Sequence, residues 1–306
     1  MDAFQEPFEQ LHTIVDFWRW GTSLFESAQC FYGHGTCNAK DDAAALLTHA
    51  LQLDPEQLVQ FQHCRLTDTE KTHLLGLYRQ RAQEHLPVPY ITHETWFAGL
   101  SFYIDQRVLI PRSPLAEVLE QSFNPWINGD EVNSILDIGT GSGCIAIAAA
   151  FYCPHAMVDG IDVNKEAIAV AKMNIIRHGM EKRVRVFESD LFQNLDNRYD
   201  VIISNPPYVP EYSMSTLPKE YHHEPVNALK AGEQGLDIVV RILEQAHQYL
   251  EPGGLLIVEV GEAAPHLENR FPGVAFTWLE FERGGGGVFM LEYDQLIHYQ
   301  NEFRDV

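Results

Sequence analysis

Asp137-Ile138-Gly139-Thr140-Gly141-Ser142-Gly143-Cys144 is the stretch on which the reading of this chain turns. It leaves a short apolar run at 134–138 and leads into a helical pattern over 143–152. Glycines at such a strand-to-helix junction permit a tight turn and let backbone N–H groups come close to a ligand. Their spacing is G-x-G-x-G, not the G-x-G-x-x-G that seats a pyrophosphate. Asp137, at the entrance to the loop, suits a cation better than a diphosphate. S-adenosylmethionine carries both a sulfonium and an amino group, so Asp137, Gly139, Thr140, Gly141 and Gly143 are its candidate contacts.

Working outward, strands are expected near 134–138, 156–161, 183–187, 199–204 and 254–260, with helices near 143–152, 164–178 and 236–249. That alternation predicts an α/β fold with a mostly parallel sheet covered on both faces. The last two expected strands, Val274–Phe281 and Val288–Glu292, are joined through Gly284-Gly285-Gly286-Gly287 and read as an antiparallel hairpin. A Rossmann-like, seven-stranded sheet finished in this way is the class I S-adenosylmethionine-dependent methyltransferase pattern, which dinucleotide dehydrogenases generally lack.

The remaining candidate site residues fall at the ends of successive strands. Asp162 lies 23 residues beyond Gly139, close to the roughly 20 expected of a carboxylate that binds ribose hydroxyls. Asn164 is placed to cap the next helix. Ser189-Asp190-Leu191 ends the third strand, where Asp190 can accept from an adenine amino group. The fourth strand delivers Asn205-Pro206-Pro207-Tyr208. Two prolines stop the ladder and stiffen the backbone. The Asn205 side-chain oxygen and the Pro206 carbonyl can then accept the two hydrogens of an NH2 group while Tyr208 covers its face. On its own the tetrapeptide reads equally as a proline-rich turn; a methyl-donor loop at the same sheet edge favours the amide or amine site.

Residues 1–92 read as a small helical domain for substrate recognition, 93–113 as a β-hairpin linker and 114–306 as the catalytic domain. Phe8, Leu11, Val15 and Trp18 recur at helical spacing, Thr67-x-x-Glu70 is a capping-box pattern, and a helix is expected up to about Ile127. Pro87–Thr92 reads as a rigid joint, and Arg112, between Pro111 and Pro114, as facing either a ligand or the surface.

With 21 basic against 43 acidic residues, the net charge of −22 disfavours nucleic-acid phosphates and favours a basic partner. No apolar run reaches the ~18 residues that span a bilayer, and the acidic start Met1-Asp2-Ala3-Phe4-Gln5-Glu6 lacks a signal-peptide layout, so a cytoplasmic protein is expected. Five cysteines without a C-x-x-C pair read as reduced thiols, and no metal site is expected, the neighbours His222 and His223 lacking a third ligand.

Nearly the whole chain resembles the class I methyltransferases that modify glutamine side-chain amides in proteins. The resemblance rests on Thr92–Leu100, on Val108-Leu109-Ile110-Pro111-Arg112, on the glycine loop and on Asn205–Tyr208. Ser113-Pro114 after Arg112, with Phe31-Tyr32-Gly33-His34-Gly35-Thr36 and Gly287–Leu291, is similar to the branch acting on ribosomal protein three of the large subunit. The branch that methylates peptide release factors usually reads I-P-R-P there and is the alternative. The resemblance implies a basic ribosomal protein as partner, free or within a ribosome assembly intermediate. It also implies a role for His223-Glu224-Pro225 and Ala228-Leu229 in shaping the acceptor pocket. An adenine-N6 nucleic-acid methyltransferase uses the same tetrapeptide logic, but direct DNA binding is not expected of so acidic a chain. A non-enzymatic assembly factor is disfavoured by the intact cofactor and acceptor motifs.

Overall fold

A computed structural model describes residues 4–304, so Met1, Asp2 and Ala3 of the acidic start lie outside the described residues. Glu94–Phe97 (β1) and Leu100–Tyr103 (β2) form a two-stranded hairpin. Ala98 and Gly99 turn it with φ of 48° and 73°, the paired left-handed geometry that matches strand twist.

The larger sheet contains Ser134–Ile138 (β3), Met157–Asp162 (β4), Val184–Glu188 (β5), Tyr199–Ser204 (β6), Leu250–Glu259 (β7), Thr277–Trp278 (β8) and Val288–Glu292 (β9). Their spatial order is β5-β4-β3-β6-β7-β9-β8. The first five run parallel to one another, whereas β9 runs antiparallel to both β7 and β8. Both faces are covered, which is why the strands read as unbroken apolar runs. Val201 and Ile203 point into one core with the helix Cys144–Tyr152; Ile202 points into the other with the helix Asp237–Gln245. Strand order reverses between β3 and β6, where Ile138 and Ser204 are register partners. Gly139 and Asn205 therefore leave adjacent strands side by side, at the crevice where open α/β sheets bind ligands.

Three expected elements differ. Val274–Phe281 narrows to the two-residue strand β8, because Pro272-Gly273 precede it and an edge strand needs only one partner. The helix expected to reach Ile127 ends at Glu120: Ser122 and Phe123 have φ of 51° and 64°, and Pro125 follows. Pro87–Thr92 is not merely a joint, since Val88–Thr92 forms a helical turn with Tyr90 and Ile91 buried.

One compact unit runs to Thr95 and also includes Pro218–His223; the other holds Trp96–Leu217 and the described residues from Glu224 onward. In the first unit, the stripe from Phe8 to Trp18 belongs to two helices, Gln5–Gln10 and Ile14–Ser27. Thr13 separates them by capping the second, its hydroxyl accepting from Asp16 N at 3.3 Å. The Thr67/Glu70 capping box forms as expected. Phe17, Phe25, Leu46, Leu74 and Tyr78 make the core. Beside it Arg81, 2% exposed, donates to Asp42 at 2.6 Å, to Glu220 at 2.8 Å and to the Phe31 carbonyl at 2.7 Å.

Candidate active site

The glycine loop is tied to the next strand by its own backbone. Gly139 N and Thr140 N both donate to the Ile161 carbonyl at 2.9 Å. Gly139, Gly141 and Gly143 have φ of 74°, 53° and 81°, values that a side chain would strain. A Cβ on Gly143 would also come within 3.2 Å of Ala171, so this glycine brings two helices together. Asp162 Oδ2 accepts from Gly141 N at 3.0 Å, and Oδ1 from Asn164 N at 2.8 Å. Burial raises the Asp162 carboxyl above its usual range. Asn164 caps the helix Lys165–Arg177 as the sequence indicates, accepting from Glu166 N at 2.9 Å.

One cavity at the carboxyl edge of the sheet is walled by Gly139, Gly141, Asp162, Asp190, Asn205 and Pro206, with Ser189 and Pro207 beside them. The predicted donor and acceptor residues are thus brought together. Four predicted residues are not in its wall. Asp137 is wholly buried and holds the loop from behind, its Oδ2 accepting from Thr140 Oγ1 at 2.6 Å and Ala146 N at 3.1 Å. Burial pushes its carboxyl up to about 7, and its Oδ1 has no hydrogen-bond partner. Thr140 is spent on Asp137, and Gly143 on helix packing. Tyr208 donates its hydroxyl to Glu259 Oε1 at 2.9 Å. Asp190 does line the cavity, but Arg241 donates to both of its oxygens at 2.9 Å.

The acceptor side is braced by contacts the sequence does not announce. Val209 N donates to the Leu229 carbonyl at 2.8 Å, and Ala231 N to the Val209 carbonyl at 3.0 Å, which ties the exit of the tetrapeptide to the chain at 229–231. Arg112 faces neither ligand nor open surface: its guanidinium grips Glu224 with both arms, at 2.6 and 2.7 Å. The fixed fork of arginine favours this bidentate grip, and Ile110 N adds a third bond to the same carboxylate at 3.0 Å. Pro225, Asn227 and Ala228, just beyond Glu224, form part of the cavity wall. Arg107, Val108 and Leu109 form another part, with Arg107 held by Asp105 at 2.8 and 2.6 Å. Val108 and Leu109 fall in the segment that carries the family resemblance, whereas Arg107 has only the Asp105-x-Arg107 spacing as its sequence signal. Of the two adjacent histidines, His223 bonds the Glu84 carbonyl at 2.8 Å.

The residues present fit S-adenosylmethionine. The buried, unpartnered Asp137 oxygen behind the loop favours a positive charge there, Asp162 offers acceptor oxygens for ribose hydroxyls, and Ile138, Ile161, Leu191 and Ile238 give apolar walls. Fold and site together define a class I S-adenosylmethionine-dependent methyltransferase.

Known proteins narrow this class. The family model "Methyltransferase small domain" matches residues 115–232, and "PrmC N-terminal domain" matches residues 17–92. A "Ribosomal protein uL3 glutamine methyltransferase" from Neisseria meningitidis serogroup B is 44% identical over 295 residues, covering 96% of this chain and 97% of that protein. The protein of that name from Xanthomonas campestris pv. campestris is 46% identical over 290 residues, 94% of each chain. Among solved structures, the hMettl16 catalytic domain in complex with a MAT2A 3'UTR hairpin superposes with a TM-score of 0.51 at 20% identity. That match covers 74% of this chain and 81% of the other and is a likeness of fold alone. The chain belongs to the family of ribosomal protein uL3 glutamine methyltransferases.

Proposed function

We propose that this enzyme transfers a methyl group from S-adenosylmethionine to the side-chain amide nitrogen of a glutamine in ribosomal protein uL3. The observation that carries the reading is the meeting of Asn205 and Pro206 with Gly139, Gly141 and Asp162 in one cavity wall. The full-length relatives named for uL3 supply the substrate. A net charge of −22 suits a basic ribosomal protein, free or in an assembly intermediate, and opposes direct DNA binding. No helix among the described residues is long and apolar enough to cross a membrane. The reading places the enzyme in the cytoplasm, with no metal.

When bound, the cofactor supplies an electrophilic methyl on a sulfonium. Gly139 and Gly141 would receive it at the loop, Asp162 at the ribose hydroxyls, and Ser189 to Leu191 near the base. An amide nitrogen is a poor nucleophile because its lone pair is delocalised into the carbonyl. Asn205 Oδ1 and the Pro206 carbonyl would accept hydrogen bonds from its two N–H groups and orient the lone pair for in-line transfer, with Tyr208 covering the amide plane. As the methyl leaves sulfur for nitrogen, one amide proton is lost to solvent with or after the transfer. The two prolines hold those acceptors still. Such positioning can supply ~7–11 kcal/mol of a barrier, so the site functions without a strong base in the tetrapeptide.

The test is incubation with purified uL3 and radiolabelled methyl donor, followed by mass spectrometry of the labelled peptide. One methylated glutamine is the expected result. Labelling of a release factor or of a nucleic acid with uL3 untouched would overturn the reading. Asn205→Ala is expected to keep cofactor affinity and lose methyl transfer, because it removes one of two hydrogen acceptors without touching the glycine loop. Retained turnover would remove Asn205 from this role.

A further inference from the structure

β7 ends in Glu259, a carboxylate only 4% exposed that closes the buried apolar run Leu255–Val258. Both of its oxygens are met by hydroxyls, Oε1 by Tyr208 at 2.9 Å and Oε2 by Ser113 in a short hydrogen bond. Ser113 Oγ in turn accepts from Leu115 N at 3.1 Å, so its one proton is committed to Glu259. Tyr208 is confined on other sides as well. A Cβ on Gly261, whose φ is 46°, would lie 2.6 Å from the Tyr208 ring, and one on Gly235 would lie 2.1 Å from the Tyr208 carbonyl oxygen. Gly261 is itself held in place, since Val260 N and Gly261 N donate to the Gly287 carbonyl at 2.7 and 3.1 Å.

A carboxylate in this position is a poor device for holding a sheet together. Desolvation opposes it, and an apolar residue of similar volume would serve the core as well or better. What the carboxylate does that an apolar residue cannot is accept from two hydroxyls at once, and one of them belongs to the acceptor tetrapeptide. We infer that Glu259 is a positioning residue for methyl transfer: it fixes the Tyr208 phenol, and through it the ring beside the acceptor amide, while Ser113 holds its other oxygen. This inference rests on the amide-site reading of Asn205–Tyr208. Glu259 acts through Tyr208 and need not touch the substrate itself.

The test is a double-mutant cycle on the full-length enzyme with uL3 as substrate, using Tyr208→Phe, Glu259→Gln and Glu259→Leu singly and in combination. Tyr208→Phe and Glu259→Leu are each expected to lower kcat/KM for uL3 by about tenfold or more, and the double variant to fall no further than the weaker single, which is the signature of coupled residues. Cofactor affinity should stay within about twofold of wild type. Glu259→Gln should recover part of the loss, because its amide can still bond a phenol oxygen that reorients its proton. If Glu259→Leu does not fold, the cycle of Tyr208→Phe with Glu259→Gln carries the same comparison. Additive losses, an unchanged kcat/KM, or equal damage to cofactor binding would overturn the inference. Wild-type turnover of uL3 is measured first; its absence would remove the proposed substrate and this inference with it, whereas additive losses on an active wild type remove only the role of Glu259.

Discussion

At the scale of single residues, Asp137 combines an electrostatic cost with a chemical purpose. Its usual carboxyl range is left far behind: burial favours the neutral form and pushes it up to about 7, against 3.8 in the unfolded chain. A raised folded value means that the stabilising contribution is fully present below the unfolded value and is lost as pH rises through about 7. Without ligand, wild-type thermal stability should therefore fall relative to Asp137→Asn between about pH 4 and about pH 7 and run level with it above that. A cationic ligand at the loop favours the carboxylate and should stabilise wild type more at the higher pH. Melting curves of the two proteins with and without S-adenosylmethionine decide the matter, and parallel pH dependences would refute it. Gly139, Gly141, Asp162 and Asn205 were legible because a turn, a strand end or a proline pair leaves a mark at fixed spacing. Glu259 left no such mark. Its one signal was a carboxylate closing the apolar run Leu255–Val258 at the same edge of the sheet.

At the scale of elements, the parallel strands were readable because each is buried on both faces. β8 was not, since an edge strand with one partner takes its length from its neighbour and not from its own pattern. The same limit applies to the segment around Arg112. Two flanking prolines announced a stiff backbone, but the partner lies 112 residues away in sequence. Glu224 has a side chain with 0% exposure, and the guanidinium is the cation that compensates it. Removing one member of a buried pair costs ~3–5 kcal/mol, mostly through the charge left behind. Arg112→Met should accordingly destabilise the catalytic unit by an amount of that order and weaken cofactor binding, because Pro225, Asn227 and Ala228 line the cavity just after Glu224. Arg112→Met with Glu224→Gln should regain most of the stability. Chemical denaturation of wild type and the two variants tests this, and a double variant no better than the single would show that the buried charge is not the cause.

At the scale of the whole molecule, a division at fixed points along the chain misses one structural fact. The six residues Pro218–His223 belong with the N-terminal helices, although they lie in sequence between the tetrapeptide and Glu224. No periodicity could have revealed this, because a short 3-10 stretch, Lys219–His223, is placed by side-chain contacts to residues far away in sequence, Glu220 the most buried among them. Glu220, 2% exposed, accepts from Arg81 at 2.8 Å and from Phe31 N at 2.8 Å, and lies 3.3 Å from His85 Nδ1. Arg81 would keep Asp42 if Glu220 were lost, so the guanidinium would be left with one anion instead of two. Glu220→Ala is therefore expected to destabilise the helical unit by ~3 kcal/mol, the lower end of the range for breaking a buried pair. Affinity for S-adenosylmethionine should be unchanged, since none of these groups lines the cavity. Hydrogen exchange should show faster opening at 30–42, 78–85 and 218–223 with the sheet unaffected. If cofactor affinity fell, or if the sheet opened as readily as the helices, Glu220 would be a general stability residue and not one whose effect stays within the helical unit.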